Sequence, residues 1–210
     1  MVNSLDKEEL ILKTAMDVFI EKGRHGAKMQ EIADRAGINK ALLHYYFRTK
    51  EKLYAKIFEY LINKNLSELF ELFDADLPFA DFLRFFISGY MDVINKNPKI
   101  PLFMLKELSE GGGTVKAILT NLRNSGKLDK NKIVKKIEQA VKDGEIAPVD
   151  PLQLIGTVIG SCLFFFIAEP IFKTIFIEED NFDRQAFIEQ RKEAVYQTIL
   201  YGILPRGEQQ

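Results

Sequence analysis

The stretch that decides the fold runs from Ile32 to Lys52, IADRAGINKALLHYYFRTKEK. It reads as two short helices joined by a tight turn, with a third helix starting at once. The first helix ends at Ala36. Gly37 takes the turn, where a positive φ is cheap only for glycine. Ile38 points inward, and Asn39 is placed to cap the helix that starts at Lys40. On that helix Leu43 and Phe47 lie four residues apart and form one apolar face. The opposite face carries Lys40, Ala41, His44 and Tyr45. A short helix with this polarity fits a DNA major groove. The motif points to a nucleic acid as partner and to binding as the activity.

Charge around the motif agrees. From Arg24 to Lys52 there are seven basic residues against three acidic ones, a net of +4. The whole chain of 210 residues is −1, so the remainder carries −5. Positive charge gathered on one small segment is what phosphate attraction needs, although scattered basic residues also serve as plain solvated surface. The single cysteine, Cys162, excludes an intrachain disulfide and a cysteine-based metal cluster. With only His25 and His44 beside it, neither a nucleophilic dyad nor a histidine-rich metal site can be assembled. No catalytic residue, metal or cofactor is therefore expected. Asp6, Lys7, Glu8, Glu9 and Lys13 make the N-terminus unlike a secretory signal, and a cytoplasmic location is expected.

Outward from the motif, periodicity predicts helices and no strands. Helix 1 should span 6–22 and close at Gly23. Helix 2 covers 29–36 and helix 3 covers 40–47. Thr49 caps a fourth helix that runs to Phe73 without Gly or Pro, carrying Leu53, Ile57, Leu61, Leu66, Leu69 and Phe73 on one side. Further helices are expected over 79–96, from near Pro101, and over 114–124, 129–142, 150–176 and 183–203. The fold class is all-α, with a helix-turn-helix domain at 1–52 and a helical ligand-binding and dimerisation domain at 53–210.

Three runs carry a family likeness: ILKTAMDVFIEKG (Ile11 to Gly23), MQEIADRAGIN (Met29 to Asn39) and LLHYYFRTKEKLY (Leu42 to Tyr54). Together they resemble the N-terminal domain of TetR/AcrR-type transcriptional regulators. The resemblance covers about a quarter of the chain. It departs from the family pattern at Lys28, usually Thr, at His44, usually Tyr, and at Tyr46, usually His. It implies a homodimer on a palindromic double-stranded operator, most often a repressor released by a small-molecule inducer. It also implies phosphate contacts from Lys28, Tyr46 and Lys50, and places Gln30, Lys40, Ala41 and His44 at or near base edges. Gln pairs with adenine, Lys reaches guanine, and an Ala methyl meets a thymine methyl. Tyr45 is expected on the sugar-phosphate chain.

The C-terminal part holds aromatic residues at helical spacing, among them Phe82, Phe86, Tyr90, Phe103 and Phe165. Ordinary core packing and a pocket for an apolar or aromatic ligand both fit such a set. Tyr90, Ser161 and Glu169 are polar groups placed to orient a ligand. The run Leu152 to Ala168 is apolar enough to suggest a membrane span. Its flanking Asp150 and Glu169 and its internal polar residues favour a core helix instead, with no membrane partner. Gly156 and Gly160 on this helix, with Val195 and Ile199 on the last one, are the expected dimer contacts, in a bundle of two helices from each copy. The alternative is a small-molecule enzyme or carrier whose N-terminal unit is only structural.

Overall fold

The computed structural model describes residues 4–65, 69, 71–126, 129–176 and 182–205, and every regular element among them is an α-helix. The helices are α1 (Ser4–Gly26), α2 (Met29–Arg35), α3 (Lys40–Phe47), α4 (Lys50–Asn65), α5 (Phe79–Lys96), α6 (Lys99–Ser109), α7 (Gly113–Asn124), α8 (Lys130–Lys142), α9 (Pro151–Phe176) and α10 (Arg184–Ile203). The helix expected to run from Lys50 to Phe73 is described as α4 up to Asn65. Leu66 lies outside the described residues.

The chain forms two compact units. The first comprises Met1–Lys64 together with Lys99–Ser125, and the second Asn65–Pro98 with Gly126–Gln210. The boundary read at residue 52 therefore falls inside the first unit, which also takes α6 and α7 from the middle of the chain. The reason is apolar. The buried stripe of α1, with Ile11, Ala15, Val18 and Phe19, meets Leu53, Tyr54, Ile57 and Phe58 of α4. Phe103 of α6 completes that core, its ring centroid 4.4 Å from Phe58 and 5.2 Å from Tyr54. Polar ties hold α6 against α1: Lys99 pairs with Asp17 at 2.6 Å, and the Lys106 ammonium donates to the Ile20 carbonyl at 2.5 Å.

Glu107 is the buried acid of this unit. Its Oε1 accepts from the backbone N–H groups of Thr114 and Val115, at 2.6 and 3.2 Å, and so caps α7, whose N-cap residue Gly112 has no side chain to do it. The carboxylate also meets the Tyr54 hydroxyl. Burial first, and then the neighbouring Glu107 charge, push the Tyr54 hydroxyl upward in pKa.

In the second unit α5 packs against α8, α9 and α10. Phe82, Leu83, Ile87 and Met91 of α5 meet Leu154, Val158, Cys162 and Phe165 of α9 and Ile188, Val195 and Ile199 of α10. The caps fall where the sequence places them. Asp150 accepts from Gln153 N–H at 2.9 Å and Asp183 from Ala186 N–H at 3.0 Å. Pro78 precedes α5 and offers no side-chain cap, so Glu145 reaches in and accepts from Phe79 N–H at 2.7 Å. The buried Lys192 ammonium is matched by Asp92 at 2.6 Å and Glu189 at 2.8 Å.

Candidate nucleic-acid interface

The turn between α2 and α3 forms as its residues dictate. Gly37 adopts φ 67°, and the Ile38 N–H folds back onto the Ala33 carbonyl at 3.0 Å. Asn39 caps α3 by accepting from Leu42 N–H at 2.7 Å. Ile32, Ala33, Leu43 and Phe47 are buried, which fixes the rotation of α3 about its axis. Lys40, Ala41, His44 and Tyr45 are left outward, and Tyr45 is 80% exposed. Tyr46 is half-buried, edge-on to Tyr45 with centroids 5.7 Å apart.

The C-terminus of α3 is unusual. Arg48 has φ 54° and ψ −52°, and the Thr49 N–H donates across it to the Phe47 carbonyl, a γ-turn of the rare and strained form. Two contacts hold it: its N–H donates to the His44 carbonyl at 2.9 Å, and His44 Nδ1 lies 2.9 Å from the Arg48 carbonyl oxygen. A carbonyl only accepts, so Nδ1 carries the proton. In the neutral ring Nε2 is then the free acceptor on the outer face, suited to an amino proton of cytosine or adenine.

The basic residues divide by partner. Arg35 is spent on Glu21 at 2.9 Å and Glu31 at 2.7 Å, and Lys22 also pairs with Glu31. Lys22 first, and then Arg35, hold the Glu31 carboxyl below its ordinary range. Arg24 lies over the Tyr54 ring at 5.1 Å. Lys50, expected on a phosphate, directs its ammonium to the carbonyls of His25 and Ala27, at 3.2 and 3.1 Å, and braces the α1–α2 loop. Gln30 donates to Asp34 at 2.7 Å along its own helix while remaining exposed. Lys28 precedes α2 without a side-chain cap, as its lack of an oxygen requires.

Sequence reading overlooked a basic cleft beside α3. Arg48, Lys52 and Lys56 line it with Tyr46 and Phe47, and Glu8 closes one side. Arg48 and Lys52 make no ion pair among the described residues, which leaves them available to a phosphate chain. The signal was the spacing Lys52–Lys56, one helical turn, which aligns two ammonium groups on one side of α4.

The expected ligand and dimer residues separate. An apolar cavity of about 70 Å³ in the second unit is lined by residues that include Phe73, Phe82, Phe86, Ile137, Leu154 and Val158. Phe82 and Phe86 are thus at the cavity. Tyr90 stacks on Phe86 with centroids 6.0 Å apart, and Phe165 packs on Phe187 at 4.7 Å within the core. Phe103 is not with them: it belongs to the first unit, on Phe58 and Tyr54. Glu169 is committed to Arg184 at 2.8 Å and Lys173 at 2.9 Å. Burial pushes its carboxyl up, but those two cations outweigh burial and hold it below the ordinary value. Gly156 and Gly160 are exposed, with no atom within 4 Å of where a Cβ would stand. Val195 and Ile199 are buried inside their own subunit and face α5 and α9, not outward. No group of three or more metal-ligating side chains occurs among the described residues.

Residues 11–57 match the family described as bacterial regulatory proteins, tetR family. The HTH-type transcriptional regulator RutR of Escherichia coli is 28% identical over 200 residues, covering 95% of this chain and 92% of RutR. An HTH-type transcriptional regulator of Bacillus subtilis, YhgD, is 26% identical over 149 residues, 70% of this chain and 76% of its own. Among solved structures, the TetR family regulator PfmR from Thermus thermophilus superposes with a TM-score of 0.66 at 23% identity, covering 93% of this chain and 99% of PfmR. A TetR family transcription regulator from Marinobacter aquaeolei gives 0.70 at 16% identity, covering 95% and 96%. Both share the fold. The relatives are regulators and not enzymes, and such regulators bind DNA operators as dimers. The exposed helix-turn-helix, its basic surround and these likenesses lead to one assignment: the chain is a DNA-binding transcriptional regulator whose N-terminal segment, residues 11–57, matches the tetR family.

Proposed function

We propose that two copies of this chain pair through the outer face of α9, read a palindromic operator with their two α3 helices, and release it when a small apolar or aromatic ligand fills the cavity of the second unit. The observation that carries the reading is the two-sided apolarity of α9. One side buries Leu154, Val158, Cys162, Phe165 and Ala168. The other exposes Leu152 at 70%, Phe164 at 60%, Ile171 at 60% and Ile175 at 63%, with Gly156 and Gly160 between. A helix apolar all round requires a second covering surface. A two-fold pair supplies the same stripe from its mate, and two reading heads match two half-sites. The length and composition of α9 would also suit a membrane span. Its engagement in the core of a helical unit favours the dimer, and a cytoplasmic regulator.

Gly160→Leu tests the pairing. The subunit has room for the side chain, so the fold should be kept. In the pair, overpacking should cost about 1–3 kcal/mol per copy. Sedimentation at micromolar concentration should show monomer or exposed-face aggregate, with operator binding lost in a mobility assay. An intact dimer would place the interface elsewhere.

In the reading head we assign Lys28, Tyr46 and Lys50, together with Arg48 and Lys52, to the phosphate chain, Tyr45 to the sugar-phosphate surface, and Gln30, Lys40, Ala41 and His44 to base edges. Lys50 has a third ammonium proton for this beyond the two spent on carbonyls. His44→Ala should weaken binding to a site enriched from random DNA by about 1–3 kcal/mol, while non-specific binding holds. Fluorescence anisotropy on both DNAs measures the difference. An equal loss on both would make His44 a phosphate contact or a support for Arg48. Ligand release is tested by titrating apolar compounds against the protein–operator complex. A compound that stabilises the free protein should weaken operator binding by about 1–3 kcal/mol.

A further inference from the structure

The α10 cation Arg191 lacks a counter-charge among the described residues. On α10, Arg184 is paired with Glu169, and Lys192 with Asp92 and Glu189. Arg191, between them, makes no ion pair among the described residues. Its Nη2 donates to the Ser161 carbonyl at 3.3 Å, and its Nε is buried with no hydrogen-bond partner. A buried charged donor without an acceptor is rare in a folded core and asks for one.

The surroundings say what kind. Arg191 lies close enough to Cys162 to oppose the effect of burial, which still pushes that thiol up to about 12. Cys162 is fully buried, and beside it is the half-buried Tyr90, which burial likewise raises to about 12. The Tyr90 hydroxyl makes no hydrogen bond among the described residues. Tyr90 stacks on Phe86, with ring planes 11° apart, and Cys162 is one helical turn beyond Val158. Phe86 and Val158 line the apolar cavity. The wholly apolar cavity therefore adjoins a layer that holds one buried unsatisfied donor, the positively charged Arg191, and the Tyr90 hydroxyl.

We propose that the ligand is an amphiphilic monoacid, with its apolar body among Phe82, Phe86, Leu154 and Val158 and its carboxylate accepting from Arg191 Nε and the Tyr90 hydroxyl. The proposal rests on the ligand-release reading above. A carboxylate from a second copy is the competing acceptor. The burial of Nε within its own subunit, near the fully buried Cys162, favours the ligand.

The test uses the full-length dimer and isothermal titration with hexanoate, decanoate and phenylbutyrate, each beside its matching alcohol. At least one acid should bind about tenfold or more tightly than its alcohol, the ratio expected for one charge-assisted hydrogen bond. Arg191→Gln should abolish that ratio and leave the alcohol's affinity unchanged. Arg191→Lys should keep part of it, and Tyr90→Phe should reduce it by less than Arg191→Gln does. Circular dichroism confirms that each variant is folded. Alcohols that bind as well as their acids, or an acid preference that survives Arg191→Gln, would overturn the anionic head and leave the apolar cavity reading intact. Dissociation of Arg191→Gln to monomer with acid preference unchanged would assign Arg191 to the partner copy and overturn the proposal. Failure of every acid and every alcohol to bind would overturn it together with ligand release.

Discussion

Phe103→Ala is expected to destabilise the first unit by about 3–5 kcal/mol, the cost of emptying a fully buried aromatic site. Phe103 is 0% exposed, stacked on Phe58 and edge-on to Tyr54. Tyr54 in turn stands edge-on to Phe19 of α1, with centroids 4.8 Å apart. Removing the ring takes the centre from a packed aromatic cluster that joins α1, α4 and α6. The lost contacts cannot be recovered by collapse, because the surrounding rings are fixed on two other helices, Tyr54 and Phe58 on α4 and Phe19 on α1. Urea unfolding should show a lower midpoint with an unchanged slope. Operator affinity should fall with it, since α1 and α4 support the reading helix. A stability change below about 1 kcal/mol would mean that the ring fills no essential space.

Glu107→Ala is the second large effect, about 2–3 kcal/mol from orphaned backbone donors. The variant leaves the Thr114 and Val115 N–H groups at the start of α7 without their acceptor and takes away the partner of the Tyr54 hydroxyl. Glu107→Gln keeps one carbonyl oxygen for the same N–H groups and should recover most of the loss. Hydrogen exchange at Thr114 and Val115 distinguishes the causes: both amides should exchange quickly in the alanine variant and slowly in the glutamine variant. Equal protection in the two would make the carboxylate's cap incidental and leave only the vacated volume as the source of any instability.

The sequence carried the local parts of this structure well, because those parts are decided by neighbours in the chain. Gly37 and Asn39 mark the turn, and Leu43 with Phe47 sets the face of α3. Asp150 and Asp183 announce the starts of α9 and α10. Each of these is a contact within about one helical turn. What was not legible depends on which helix meets which. Periodicity says that Phe103 is inward, but not that its neighbours are Phe58 and Tyr54 and not Phe86. In the same way it marks Val195 and Ile199 as apolar stripe residues without saying whether the stripe faces its own subunit. Lys50 shows the limit for polar residues: its position suits a phosphate, yet two carbonyls from a loop 23 and 25 residues away hold its ammonium. Such partners come from tertiary packing, which single-sequence patterns do not encode.

The first unit is assembled from two separated stretches of chain, Met1–Lys64 and Lys99–Ser125. This limits how such regulators can be recombined. A hybrid that takes its reading head from this chain and stops at Lys64 leaves Phe58 and Tyr54 without Phe103, and Ile20 and Asp17 without Lys106 and Lys99. The hybrid needs three junctions, at 64/65, 98/99 and 125/126, with residues 99–125 travelling beside the N-terminal segment from the same parent. Three seams, and not one, are the natural places to cut this protein.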